Sequence, residues 1–203
     1  MEKRELPVGW RWKKLIEVCH VVNGTTPMSS INEYWGGDIV WITPTDLGRL
    51  QKAEILDSER HITQKGFDSC GLELVPEGTV ILSSRAPIGH LGIASVPLCT
   101  NQGCKSLVPR EKIDSKFLYF ALKYMIPELQ RLGSGTTFAE VSKSQVENFE
   151  IPLSSLPEQK RIAAILTDQL AAVERVRKAA EEQLKAITEL PAALLHQAFT
   201  GNL

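Results

Sequence analysis

The stretch Ser155–Leu190, SLPEQKRIAAILTDQLAAVERVRKAAEEQLKAITEL, decides how this 203-residue chain is organised. It predicts one long helix. Ser155 and Glu158 stand at the S-x-x-E spacing of a capping box, and Pro157 falls in the first turn, where its missing N–H leaves nothing unsatisfied. Glycine is then absent until Gly201. Apolar residues recur on a seven-residue frame, with Leu166, Val173, Ala180, Ile187 and Leu194 in one column and Ile162, Val176 and Leu190 in the other. Gln169 and Gln183 interrupt the second column and Leu170 and Leu184 follow one residue later, so the stripe is broader than a two-stranded seam needs. At about 1.5 Å per residue such a helix is roughly 50 Å long, more than a body of about 150 residues covers along its whole length. The expectation is a helix that projects in part and meets a partner through Ile162, Leu166, Val173, Val176 and Ile187; the alternative is a helix folded back on its own domain.

Working outward, residues 1–154 are expected to form a globular domain and residues 155–203 the helical appendage. The globular part is mixed α/β. Leu15, Ile16 and Val18 suit a short helix, and Ile39-Val40-Trp41-Ile42 a buried strand ended by Thr43-Pro44-Thr45-Asp46. Thr79 to Leu82 predicts a second strand, running into Ser83-Ser84-Arg85-Ala86-Pro87-Ile88-Gly89, with Gly92 to Val96 as its return. Cys99 to Lys105 reads as a polar segment before Ser106-Leu107-Val108. Lys116 to Leu132 is helical with a break at Pro127, and Gly133 to Thr137 is a flexible loop. Ser142 and Gln145 cap a short helix, and Phe149 to Leu153 is a last edge strand.

Composition sets further bounds. No apolar run has the length of a membrane span and the first residues lack the apolar core of a signal peptide, so a cytoplasmic protein is expected. Cys19, Cys70, Cys99 and Cys104 form no C-x-x-C pair and the four histidines are scattered. Buried thiols are favoured over a zinc site assembled from Cys99, Cys104 and a distant histidine. The formal charge is −1, and neither part is basic: residues 1–154 carry 17 Lys and Arg against 18 Asp and Glu, the remainder six of each. A nucleic-acid binder with this balance must segregate its charges or leave phosphate neutralisation to a partner.

The chain has no P-loop, no dinucleotide-binding glycine motif, no nucleophile elbow and no H-E-x-x-H. Glu158-Gln159-Lys160 has the E-x-K spacing of metal-dependent nucleases, but capping already accounts for Glu158. No catalytic residue and no metal ligand is assigned. What the loops carry are groups suited to base edges and phosphates: Thr43, Thr45, Ser84, Arg85, Asn101, Gln102, Lys105, Thr136, Thr137, Ser142 and Lys143. Arginine can be bidentate to guanine and Asn or Gln to adenine, while Ser, Thr and Lys hold phosphate. A capped turn or a solvated side chain is the competing explanation for each.

The order of motifs is more specific than any one of them. Leu6-Pro7-x-Gly9-Trp10 with Trp12, Trp35-x-x-Asp38-x-x-Trp41 with Asp46-Leu47, Ser84-Arg85-x-Pro87-x-Gly89, Asn101-Gln102, Pro152-Leu153-x-x-Leu156-Pro157-x-Gln159-x-x-Ile162 and Phe199-x-Gly201 together resemble one half of the specificity (S) subunit of a type I restriction–modification system. The resemblance spans nearly the whole chain. It implies a target-recognition domain that reads one half of a bipartite site in double-stranded DNA, and a helix that packs on its counterpart and docks modification (M) subunits, with a restriction (R) subunit able to join. Catalysis, by the same resemblance, belongs to the M subunits, which use S-adenosylmethionine; the chain itself takes no cofactor. Members of the family commonly carry two recognition domains and two helices, so this chain corresponds to a natural half-subunit or to a fragment, and a homodimer is implied if it is a natural half-subunit. The rival reading is a coiled-coil adaptor that never touches DNA, which the charge balance favours.

Overall fold

Short β-branched runs build three small sheets, and the largest of them carries most of the core. The computed structural model describes residues 5–85, 87–133 and 139–200. In chain order, β1 (Arg11–Lys14), α1 (Leu15–Val18) and β2 (Cys19–Asn23) lead through a single 3-10 turn (Asn32–Tyr34) to β3 (Trp35–Ile42), α2 (Pro44–Arg49), β4 (Glu54–Ile55), β5 (His61–Ile62) and α3 (Gln64–Asp68). Then come β6 (Val80–Ser83), β7 (Leu91–Ala94), β8 (Cys99–Thr100), β9 (Cys104–Pro109), α4 (Ser115–Tyr124), α5 (Ile126–Leu132), α6 (Lys143–Asn148), β10 (Glu150–Leu153) and α7 (Leu156–Thr200). This is the expected mixed α/β body followed by a long C-terminal helix.

The five-stranded sheet has the order β2-β9-β6-β7-β4, antiparallel except for the parallel β4–β7 pair. Strand β6 is central, which is why Val80, Ile81 and Leu82 are all fully buried; each such side chain contributes about 1.5–3 kcal/mol. Helix α4 covers β6 and β7 with Phe117, Leu118, Ala121 and Leu122. The three-stranded sheet β5-β3-β8 joins β3 antiparallel to β5 and parallel to β8, while β1 pairs with β10 alone.

Several local expectations change once distant segments meet. Strand β3 begins at Trp35 rather than Ile39. Thr43 to Asp46 does more than end that strand, because it caps α2: Thr43 Oγ1 accepts from the Asp46 N–H and Asp46 Oδ2 accepts from the Thr43 N–H. The segment Cys99 to Lys105 is largely interior, holding β8, the start of β9 and the buried residues Thr100, Cys104 and Lys105. The break ahead of Pro127 falls at Met125, which closes α4 and opens α5 with the proline in its first turn. The Ser142–Gln145 capping box forms as read. That of α7 does not: both Glu158 oxygens accept from Arg161 instead of reaching the Ser155 N–H. Helix α7 also passes Leu190, carrying Pro191 inside it to Thr200.

Two compact units result, Met1–Arg161 and Ile162–Leu203, so the root of α7 belongs to the first. There Gln159 is fully buried, its Oε1 accepting from the Asp114 N–H at 2.9 Å and its amide donating to the carbonyls of Lys112 and Ser154 at 3.1 and 2.9 Å. In the second unit Leu170, Val173, Val176, Leu184, Ile187, Leu190 and Leu194 are exposed, Val176 to 70%. Arg177 pairs with both Glu174 and Glu181 on the same helix. Among the described residues no helix is long and apolar enough to cross a membrane, and no group of three His, Cys, Asp or Glu could hold a metal ion.

The buried thiols have a pH signature. Removal from water pushes Cys19 and Cys99 from 9.0 up to about 12, with Cys70 beside Cys99 adding to the effect, and burial raises Cys104 in the same direction. The folded chain therefore keeps protons that the unfolded chain releases, so the stability these thiols contribute is complete below pH 9 and is lost as pH rises toward 12. Urea denaturation at neutral pH and at about pH 10.5 should show a fall approaching 1.4 kcal/mol per pH unit per thiol, shallower in Cys19→Ala. Equal alkaline slopes for wild type and variant would contradict it.

Candidate nucleic-acid interface

Four segments far apart in sequence converge at the end of β6. Ser84 is fully buried there, and both its N–H (2.8 Å) and its hydroxyl (3.2 Å) donate to the Gly103 carbonyl. Its own carbonyl accepts from the Val141 N–H at 2.9 Å, which sets Arg85 and Glu140 opposite each other in an antiparallel bridge. The β8–β9 turn is held from within by Asn101, whose Oδ1 accepts from the Gly103 N–H at 2.9 Å, while the Asn101 N–H donates to the Ile42 carbonyl. A Cβ at Gly103 would fall 2.9 Å from Cγ of Pro44, so glycine lets the turn pack against the start of α2. Gln102, exposed at the tip, accepts from the Thr26 hydroxyl.

The charges gather around Glu140. Lys105 Nζ lies 3.6 Å from one of its oxygens and Arg85 Nη1 3.8 Å from the other. Lys105 is buried, and among the described residues its ammonium otherwise faces the Gln102 carbonyl at 3.5 Å. Burial draws Lys105 below the ordinary lysine range and Glu140 works against that shift. Two cations thus share one carboxylate, with Arg85 its partly exposed partner.

The sequence-derived residues divide accordingly. Ser84 and Lys105 are corrections: both lie inside and hold the loops rather than facing outward, because β6–β9 pairing places their segments within the sheet. Thr43 and Ser142 are occupied in caps and Asn101 in its turn. Lys143 lies 3.7 Å from Glu147. Thr45 and Gln102 are exposed on this face, and Arg85 is partly so. Thr136 and Thr137 lie outside the described residues. Sequence reasoning missed Glu140 and Thr26. The signal for the first was available: a lysine in the interior run Cys104-Lys105-Ser106-Leu107 requires a counter-charge.

With this geometry in view, the chain matches the sequence model described as type I restriction modification DNA specificity domain over residues 7–186. The chain belongs to that family. The type I restriction enzyme MjaIX specificity subunit of Methanocaldococcus jannaschii is 42% identical over 165 residues, covering 80% of this chain and 38% of that protein. The EcoR124I/EcoR124II specificity subunit of Escherichia coli is 30% identical over 162 residues, covering 76% and 39%. A solved chain from work on complex assembly and conformational transition of the type I R-M system superposes with a TM-score of 0.77 at 32% identity, and the HsdS subunit from Thermoanaerobacter tengcongensis with 0.68 at 31%. Each covers 100% of this chain and 48% of its own. This specificity-domain chain therefore spans about half the length of those solved chains, and less of the curated relatives.

Glu140→Gln should lower stability by about 1–3 kcal/mol by leaving Lys105 buried without a counter-charge, and adding Lys105→Met should recover most of that loss. Thermal unfolding of the two variants measures it. Additive losses in the double variant would show that the carboxylate does not balance Lys105.

Proposed function

We propose that this chain is the DNA-reading, non-catalytic component of a type I modification complex. The observation that carries this is the specificity-domain match over residues 7–186, which includes every segment of the converging loop cluster. In this reading residues 1–154 are the target-recognition domain, and residues 155–203 serve dimerisation and docking of M subunits. The loop cluster reads one half of a bipartite site, with Thr45, Arg85 and Gln102 as its outward groups. Transfer of the methyl group takes place on the M subunits, which hold S-adenosylmethionine, and an R subunit can join the assembly. The absence of net positive charge means that the chain alone binds DNA weakly, since phosphate neutralisation supplies most of the non-specific affinity of such proteins. Electrophoretic mobility shifts with and without M subunits test this. Affinity should rise with M present and adenine methylation should appear; methyl transfer by the isolated chain would refute the assignment.

In the same proposal the exposed apolar face of α7 gives a two-fold dimer of this chain through antiparallel pairing of residues 158–194. Support comes from the exposed apolar residues of α7, whose burial at about 1.5–3 kcal/mol each offsets the loss of translational and rotational freedom. Val173→Asp combined with Val176→Asp should convert the dimer to a monomer in sedimentation velocity. Unchanged sedimentation would place the contact elsewhere.

A further inference from the structure

Arg85 shares its guanidinium charge with Glu140, and another arginine is better placed to meet DNA. Arg60 is exposed in the loop between β4 and β5, and its guanidinium carbon lies 3.5 Å from the ring centroid of Trp35 and 5.7 Å from that of Trp41. The two indoles meet edge to face with centroids 5.0 Å apart. Each is fixed by its own N–H: Trp41 donates to the Thr25 carbonyl at 3.0 Å and Trp35 to the Met28 carbonyl at 3.4 Å. The loop is fixed as well, since the Ser58 hydroxyl accepts from the Trp41 N–H and donates to the Arg60 carbonyl.

The acids around Arg60 are already committed. Asp57 accepts from the Ser58 N–H and lies 2.7 Å from His61 Nε2, Glu59 pairs with Arg49, and Asp46 caps Thr43 and accepts from the Glu59 N–H. Arg60 itself pairs with no carboxylate among the described residues. The Trp35 ring covers one side of the guanidinium, and among the described residues its N–H groups have no hydrogen-bond partner, an arrangement that favours bidentate recognition at low entropic cost. The same hydrogen bonds join this platform to the loop cluster. Thr25, which accepts from Trp41, also donates to the Thr100 carbonyl; its neighbour Thr26 donates to Gln102; and Asp46 ties the loop to the start of α2.

We propose that Arg60, held over Trp35 with Trp41 beside it, is a direct DNA contact of this domain, gripping a pair of acceptors on the duplex in bidentate fashion. The proposal rests on the DNA-reading assignment and goes beyond it by naming a residue that no sequence motif singled out. A paired acceptor on DNA is either the O6/N7 edge of guanine or two oxygens of one phosphate, and the two sources separate experimentally.

The test uses the full chain assembled with M subunits, comparing wild type, Arg60→Ala and Arg60→Lys for DNA affinity across a salt series and for the methylation motif by sequencing. Arg60→Ala should weaken binding about tenfold. Relaxed specificity at one motif position, not restored by Arg60→Lys, places the guanidinium on a guanine edge. A uniform loss with a salt slope lower by about one, restored by Arg60→Lys, places it on a phosphate. Unchanged affinity, slope and motif in Arg60→Ala, with a lowered melting temperature, would overturn the proposal and leave Arg60 as a brace for the tryptophan pair. A wild-type assembly that binds no DNA would overturn the DNA-reading assignment and this proposal with it. Tryptophan fluorescence of the variants, expected to report an intact Trp35–Trp41 pair, separates loss of contact from collapse of the platform.

Discussion

The Gly103 carbonyl accepts twice from one buried residue, Ser84, and the arrangement of the candidate interface follows from that contact. A serine with no exposure satisfies its hydroxyl and its N–H on the β8–β9 turn and gives its carbonyl to Val141, so three segments are tied at one point. Such ties matter more than their net energy, on the order of 1 kcal/mol each, because a buried polar group left without a partner costs more than the bond itself contributes. Gly103 and Pro44 bring the fourth segment into the same junction. The polar side chains at the tips are then held on a frame whose interior is sheet.

Charge is handled with similar economy. A chain of net charge −1 cannot rely on a general positive field, and several of its surface cations are paired within a few residues, as in Lys13–Glu17, Lys143–Glu147, Arg161–Glu158 and Arg177 with Glu174 and Glu181. Exposed pairs of this kind add little stability.

The sequence was most legible where a local pattern decides structure. The glycine-free heptad frame gave α7, the Ser142–Gln145 spacing gave the cap of α6, and the β-branched runs gave β6 and β7. It was least legible where burial depends on distant pairing. Ser84 and Lys105 have the composition of surface loop residues, yet β9 lies between β2 and β6, and that position draws both inward. That Lys105 needs a counter-charge could be read from its interior run, but not that Glu140 supplies it, and Thr26 likewise takes its meaning from a residue far away in the chain. Trp35 and Trp41 stood out in the motif, but their platform became apparent only with Arg60 lying across it. At the root of α7 the E-x-x-R pair replaced the expected capping box, since a bidentate guanidinium outcompetes a single backbone donor for Glu158.

In the proposed assembly, one recognition domain and one long helix make half of a symmetric DNA reader. Two such halves related by a two-fold axis read an inverted repeat, with the helix pair spanning a stretch that is not read. The most direct measurement is the methylation motif produced by this chain with M subunits, mapped by sequencing modified DNA. An interrupted palindrome is predicted, with half-site centres on the order of 10–15 base pairs apart, from the roughly 50 Å of the proposed paired stretch 158–194 and about 3.4 Å per base pair. An asymmetric or uninterrupted motif would contradict it.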